Sequence, residues 1–170
     1  VEEEHARGVA GRFAPGLPKI SDGQQLFLLN GLSKLDDEGR MAIIQNGSPL
    51  FNGDAGSGPS EIRRYILEHD WLDAIVQLPN NSFMNTGIAT YVWLLARNKP
   101  AHRRGKVQLI DASHCFEPRR KSIGDKRNDI TATCRSLIMQ AYEAFEHGAV
   151  YGDPAGIYCE SKVFATQRKE

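Results

Sequence analysis

Between Gly58 and Lys99 the apolar positions recur first at helical and then at strand spacing. Ser60 is a good N-cap, and Ile62, Tyr65, Ile66 and His69 follow it at helical intervals, so the spacing predicts a helix over Glu61 to His69 with one buried face. Leu72 to Leu78 is a short apolar run closed by Pro79, as in a strand buried inside a sheet. Ile88 to Leu95 is a second run, and its Thr90, Tyr91, Val92 and Trp93 suit a pleated surface. Pro79 to Gly87 is too short for a crossover helix, so the two strands are expected to be antiparallel neighbours at the far edge of an α/β sheet.

Upstream, Ser21 and Gln24 have capping-box spacing. Leu26, Phe27, Leu28, Leu29, Leu32 and Leu35 then give a helix with a broad apolar face that covers the sheet, weakened at Gly31 and ended by Asp36 to Gly39. Met41 to Gln45 is a strand that finishes in the turn formers Asn46, Gly47, Ser48 and Pro49. Ligands collect at such strand ends in α/β sheets. Downstream, Val107 to Ile110 is a strand and Asp111 to Pro118 a loop. Ile130, Cys134, Leu137, Ile138, Ala141, Tyr142 and Phe145 mark a last helix, capped by Asp129 or Thr131 and stopped by Gly148, whose stripe is core or a docking face. Residues 1–20 are expected as a frayed lead-in and loop, 21–128 as the α/β body, and 129–170 as the final helix and a tail from Ala149.

Composition narrows this picture. The chain has 170 residues, 41% hydrophobic and 25% charged, enough for one core. Lys plus Arg and Asp plus Glu are both 21, so there is no global basic field and any nucleic-acid contact must be local. Cys115, Cys134 and Cys159 are odd in number, widely spaced and free of a C-x-x-C pair, which argues against a disulfide framework and against a metal site. They fit packing residues or bystanders in a reducing cytoplasm. No run is long enough to cross a bilayer, and the missing initiator Met at Val1 and the ending in TQRKE suit a cut piece of a longer protein.

Two stretches carry candidate chemistry on composition alone. NGDAGSGPS, from Asn52 to Ser60, is the most glycine-rich run and precedes a helix, so it is either a phosphate cradle or a mobile connection. It lacks the G-K-[ST] ending of a P-loop and the spacing of a dinucleotide fingerprint. Arg119, Arg120, Lys121, Lys126 and Arg127 put five positive charges within nine residues, either a phosphate-contacting patch or a solvated face.

The segments EIRRYILEHDWLDAIVQLP, NSF and TGIATYVWLLARNK occur in this order. RFAPGLP, SDGQQLFLLN and GRMAIIQNGSPLFNGDAGSG precede them, and GKVQLIDAS and RRKSIGDKRND follow. Together, over Arg12 to Phe145, they resemble the C-terminal part of the catalytic domain of modification (M) subunits of type I restriction–modification systems, which are adenine-N6 DNA methyltransferases. The resemblance implies a partial Rossmann-like class I methyltransferase sheet, holding the later strands and an antiparallel edge pair, with flanking helices and a C-terminal helix. It implies that the strand ending at Asn46 is the fifth of that sheet, so that Asn46 and Gly47 border the substrate cleft. The loop Pro79 to Thr90 becomes the foremost substrate-side candidate, with Asn80, Asn81, Phe83 and Thr86. A base must leave its stack to be methylated, and Phe83 either receives the extruded ring or anchors the loop to the core.

The family's N-P-P-[FY] tetrapeptide and F-x-G-x-G turn are absent from these residues, so the chain is expected to carry no catalytic residue and not to methylate alone. By resemblance the whole protein uses S-adenosylmethionine, which this part is not expected to bind tightly. Its implied partners are DNA, a specificity (S) subunit, a second M subunit and a restriction (R) subunit, with no membrane. Competing readings are a methyltransferase for RNA, protein or a small molecule, a non-catalytic module whose last helix docks on a specificity subunit, and a nucleotide-binding enzyme built on the glycine-rich loop.

Overall fold

The computed structural model describes residues 2–10, 13–20 and 22–166. A short helix, α1 (Glu2–Arg7), and a 3-10 turn over Gly8–Ala10 stand where a frayed lead-in is expected. The following loop sets Phe13 and Leu17 against the main core. Helix α2 (Gln24–Leu32) starts after Gly23, and the Asp22 carboxylate accepts the Gln24 N–H at 3.2 Å. The expected cap at Ser21 lies outside the described residues. The helix stops at Ser33, short of Asp36, so Leu35 packs on the core from beyond it. Gly31 faces the Met41 sulfur, where a Cβ would collide, and so lets α2 lie close to strand β1 (Arg40–Asn46).

After a single turn, α3 (Ser48–Phe51), helix α4 (Gly58–Glu68) begins earlier than expected. Ser57 rather than Ser60 occupies the N-cap, because Pro59 needs no donor in the first turn and Gly58 packs against the Leu17 backbone. Strands β2 (Leu72–Gln77) and β3 (Thr90–Ala96) follow, antiparallel as predicted, with Gln77 opposite Tyr91. They are not at the edge, because β1 pairs with the outer side of β3.

A 3-10 turn over Ala101–Arg103 leads to β4 (Lys106–Asp111), which runs parallel to β2. The basic run then forms a separate hairpin of β5 (Glu117–Ile123) and β6 (Lys126–Asp129). Helix α5 (Ala132–Ala144) is capped by Thr131, whose hydroxyl accepts the Cys134 N–H at 3.4 Å. Its stop is Phe145, not Gly148: Phe145 takes a left-handed φ of 52° with its ring centroid 4.0 Å from the Arg103 guanidinium. The segment expected as a tail becomes β7 (Ala149–Gly152) and β8 (Tyr158–Ala165). Strand β8 pairs with β4, giving the order β1-β3-β2-β4-β8-β7 in a six-stranded sheet among the described residues.

Successive strand residues face opposite sides of a sheet. Ile75 and Trp93 join a core with Leu28, Leu29, Ile62 and Ile66 from α2 and α4. Val76 and Val92 join a second core with Cys134, Leu137 and Ala141 from α5, so helices cover both faces. All three cysteines are free and buried in this second core. The α5 stripe is therefore core, the first of the two expectations for it, while Met139 and the other face of the helix stay exposed. No helix among the described residues is long and apolar enough to cross a membrane.

Candidate nucleic-acid interface

Because β3 is antiparallel to both β1 and β2, and β4 is parallel to β2, strands β1, β2 and β4 all end on the same side of the sheet. Asn46, Gln77 and Asp111 mark those ends, and the loop 78–89 rises between them. Here a cavity of about 340 Å³ opens between the first turn of α2, the end of β1 and that loop. Asn46, Phe83 and Thr86 line it, with Gln24, Ile88 and Thr90.

Gln24 holds Asn46 through two hydrogen bonds from its side-chain amide. Its Nε2 donates to Asn46 Oδ1 and its Oε1 accepts the Asn46 N–H, each at 3.0 Å. Asn46 Oδ1 also accepts the Ser48 N–H at 2.9 Å, which leaves the Asn46 Nδ2 donors without a partner among the described residues. Phe83 is half-buried, with its ring packed on the second core and on the cavity wall, so it anchors the loop and faces the hollow at once. Ile44 and Ile88 are exposed apolar side chains, 52% and 57% accessible, unusual beside so many amides. Thr90 Oγ1 and Gln45 Oε1 are buried without a hydrogen-bond partner among the described residues, and both residues line the cavity. An apolar wall and one ring beside the free Asn46 Nδ2 donors suit a flat heterocycle that accepts hydrogen bonds at its edge.

The other expected site residues separate. Gly47 caps α3 and lies against the Phe51 and Tyr91 rings, outside the cavity lining. Asn80 is exposed at the loop's start. Asn81, at φ 56°, turns its side chain away to the β5–β6 hairpin, donating from Nδ2 to Asp125 O at 3.0 Å. Its carbonyl accepts the N–H groups of Arg127 and Asn128 at 2.9 and 3.1 Å.

Those bonds bring the basic run beside the loop. Arg119 Nη1 donates to both Asp129 carboxylate oxygens at 2.8 and 2.6 Å, and Lys126 reaches the same carboxylate at 3.1 Å. The hydrogen bonds from Arg119 and then Lys126 hold the Asp129 carboxyl below the usual range. Two of the five cations are thus paired within the hairpin, sharing one carboxylate. Arg120, Lys121 and Arg127 are exposed and carry no ion pair among the described residues. The start of the glycine-rich run is tied down from α4: Arg63 donates to the carbonyls of Asn52 and Gly53, and also to that of Pro49 just before the run. A larger hollow of about 690 Å³ lies between α1 and α2, but Glu2, Glu3 and Glu4 wall it, which repels a polyanion.

Sequence reasoning missed Gln24, Gln45 and Thr90 as site residues. Gln24 and Asn46 lie 22 positions apart, and the strand residues Gln45 and Thr90 are marked by burial without a partner, a property of packing rather than of pattern.

Residues 2–162 match the family model described as N-6 DNA Methylase. The chain is 30% identical over 157 residues to the HindI methylase subunit of a type I restriction enzyme from Haemophilus influenzae, covering 88% of this chain and 32% of that protein. It is 32% identical over 114 residues to the MpnII methylase subunit from Mycoplasma pneumoniae, covering 66% of this chain and 19% of that one. It therefore spans between a fifth and a third of these relatives' length. The crystal structure of a type I restriction–modification methyltransferase subunit from Streptococcus thermophilus superposes with a TM-score of 0.70 at 29% identity, over 89% of this chain and 29% of that one. The EcoKI M protein shares the fold, with a TM-score of 0.60 at 16% identity over 85% of this chain and 34% of that one. With nearly the whole length matched by one family model and the sheet shared with solved methyltransferase subunits, the chain belongs to the N-6 DNA methylase family.

Proposed function

We propose that this chain is the substrate-side part of a modification subunit that transfers a methyl group from S-adenosylmethionine to adenine N6 in DNA. The observation that carries the proposal is the joining, through Asn81, of a cavity suited to a flat heterocycle with a hairpin bearing three unpaired cations. In this reading Arg120, Lys121 and Arg127 meet backbone phosphates, and Phe83 takes the face of the extruded base. Asn46, held by Gln24, offers its Nδ2 donors to the base edge, and Thr86 and Thr90 border the same face.

S-adenosylmethionine supplies the methyl group to the whole protein, but the residues here do not fit it. Neither an F-x-G-x-G turn nor an N-P-P-[FY] tetrapeptide occurs, and the start of the glycine-rich run is engaged by Arg63. The chain's work is accordingly to bind and orient the base, with methyl transfer assigned to other residues of the whole protein. A specificity subunit, a second modification subunit and a restriction subunit are its proposed partners, and a cytoplasmic setting goes with them.

Salt dependence of duplex binding tests this. The slope of log K against log salt, measured for this chain by fluorescence anisotropy, is expected to fall by about one for each charge removed in Arg120→Gln, Lys121→Gln and Arg127→Gln. An unchanged slope, or no duplex binding by the unaltered chain, overturns the phosphate assignment. Tritium transfer to DNA by this chain alone overturns the division of labour.

A further inference from the structure

The hairpin and the cavity loop are two halves of one mechanical unit. Apart from their own pairing, β5 and β6 are tied to the loop by a run of main-chain bonds. Arg127 N–H and Asn128 N–H donate to Asn81 O at 2.9 and 3.1 Å, and Asp125 N–H donates to Met84 O at 2.9 Å. Side chains add to these: Asn81 Nδ2 donates to Asp125 O at 3.0 Å, and Asn128 Nδ2 to Asn80 O at 2.9 Å. An isolated two-stranded hairpin is marginal in water, so this one owes its place to the loop it grips.

The fit is close at both ends. Gly124, at φ 57°, sits so near Met84 O that a Cβ there would collide with it, and a Cβ on Gly87 would stand 2.8 Å from Asn81 Nδ2. Asn81 itself takes the left-handed conformation that asparagine tolerates better than most residues. Moving the hairpin away from the loop would break three main-chain and two side-chain hydrogen bonds together, so the two segments are held as one piece. Phe83 lies between these two anchor residues. Arg127 is the hinge of the arrangement, because its side chain is exposed while its own N–H is bonded to Asn81 O.

We infer that Asn81 is a positioning residue: it latches the β5–β6 hairpin to the 79–90 loop, so that contact of a polynucleotide backbone with the hairpin cations fixes the loop that carries Phe83. This rests on the phosphate reading above and adds that backbone contact and base capture are coupled inside this chain. The occupant is the sugar-phosphate strand flanking the captured base, recognised by charge and therefore without regard to sequence.

The test is hydrogen exchange on the 170-residue chain with and without a short duplex, at matched occupancy set by anisotropy. In the unaltered chain, duplex binding is expected to slow exchange of the amides at 81–87 by about tenfold. In Asn81→Gly/Gly124→Ala/Asn128→Ala, which keeps every cation and the left-handed backbone at 81, removes both side-chain ties and pushes the hairpin tip off Met84 O, duplex affinity is expected to stay within about twofold while loop protection falls. Gly124→Ala, which pushes the hairpin tip off Met84 O, is expected to do the same. Full loop protection in both variants means the loop is ordered by its own contacts with the duplex and overturns the latch. Duplex binding without loop protection in the unaltered chain overturns it as well, leaving the phosphate reading intact. Absence of duplex binding overturns both.

Discussion

A guanidinium buried beneath a β-sheet is tolerated only where its N–H groups find acceptors. Arg103, 4% exposed, donates from Nε to Asp73 at 2.7 Å, from Nη1 to Tyr142 O at 3.0 Å and from Nη2 to Gln108 at 2.9 Å. Gln108 passes the network on to Ala141 O and Ser161 Oγ at 2.7 and 2.8 Å. Tyr142 donates its hydroxyl to the other Asp73 oxygen, and burial first, then that bond, push its phenol above the ordinary range. Arg103→Met would leave Asp73 buried without its cation, and is expected to lower stability by about 3–5 kcal/mol in urea unfolding. In the sequence this residue is one of several cations in PAHRRGK, legible only as a basic turn. Asp73 and Gln108, the partners that make it internal, lie 30 positions before it and 5 after. That Phe83 and Asn46 sit at one strand-end cavity could be anticipated for the opposite reason, since each stands in or beside a stretch of turn formers between apolar runs.

Elements were predicted best where a local period was enough. Strands β2 and β3 and the stripe of α5 emerge from apolar spacing alone, whereas the ends of helices moved wherever a distant group intervened. Phe145 is such a case, its left-handed backbone held by stacking with Arg103 where a glycine would have been the local choice. The hairpin escaped because its pattern is nearly all polar; beside the loop that grips it, Asp129 bridging Arg119 and Lys126 adds to its closure. Since the Asp129 carboxyl is held below its ordinary value of 3.8, the carboxylate stabilises the folded hairpin fully above that value. The contribution fades as the pH falls below it and is gone beneath the depressed folded value. NMR populations of the closed hairpin are expected to be flat from neutral pH to about 5 and to decline below about 4. Asp129→Asn should lack that decline and start from a lower population, and a pH-independent population in the unaltered chain would contradict the bridge.

At the scale of the molecule, the sheet is one wall shared by two cores, and β2 and β3 contribute to both. Trp71 and Trp93 report on the first, and α5 belongs to the second. Tryptophan fluorescence and far-ultraviolet circular dichroism are therefore expected to follow one urea transition with coincident midpoints. Separate midpoints would mean that the cores melt independently. The α/β class and the antiparallel neighbours were legible because each rests on runs of adjacent residues. The last two strands were not. In β8 the buried positions are Cys159 and Ser161, small and partly polar, so nothing in their spacing announces a strand with a covered face.

Strand β4 also has a history, set by where its neighbours come from. One neighbour, β2, precedes it closely, but the other is β8, and Lys106 meets Ala165 only near the end of the described chain. While the protein is being made, β4 must wait with one flank bare through the synthesis of the hairpin, α5 and β7. A bare flank of this kind is a template for any passing strand. The interval between translating Asp111 and translating Ala165 is thus the period in which a nascent chain is most exposed to pairing with the wrong neighbour, and in which a chaperone would have the most to protect.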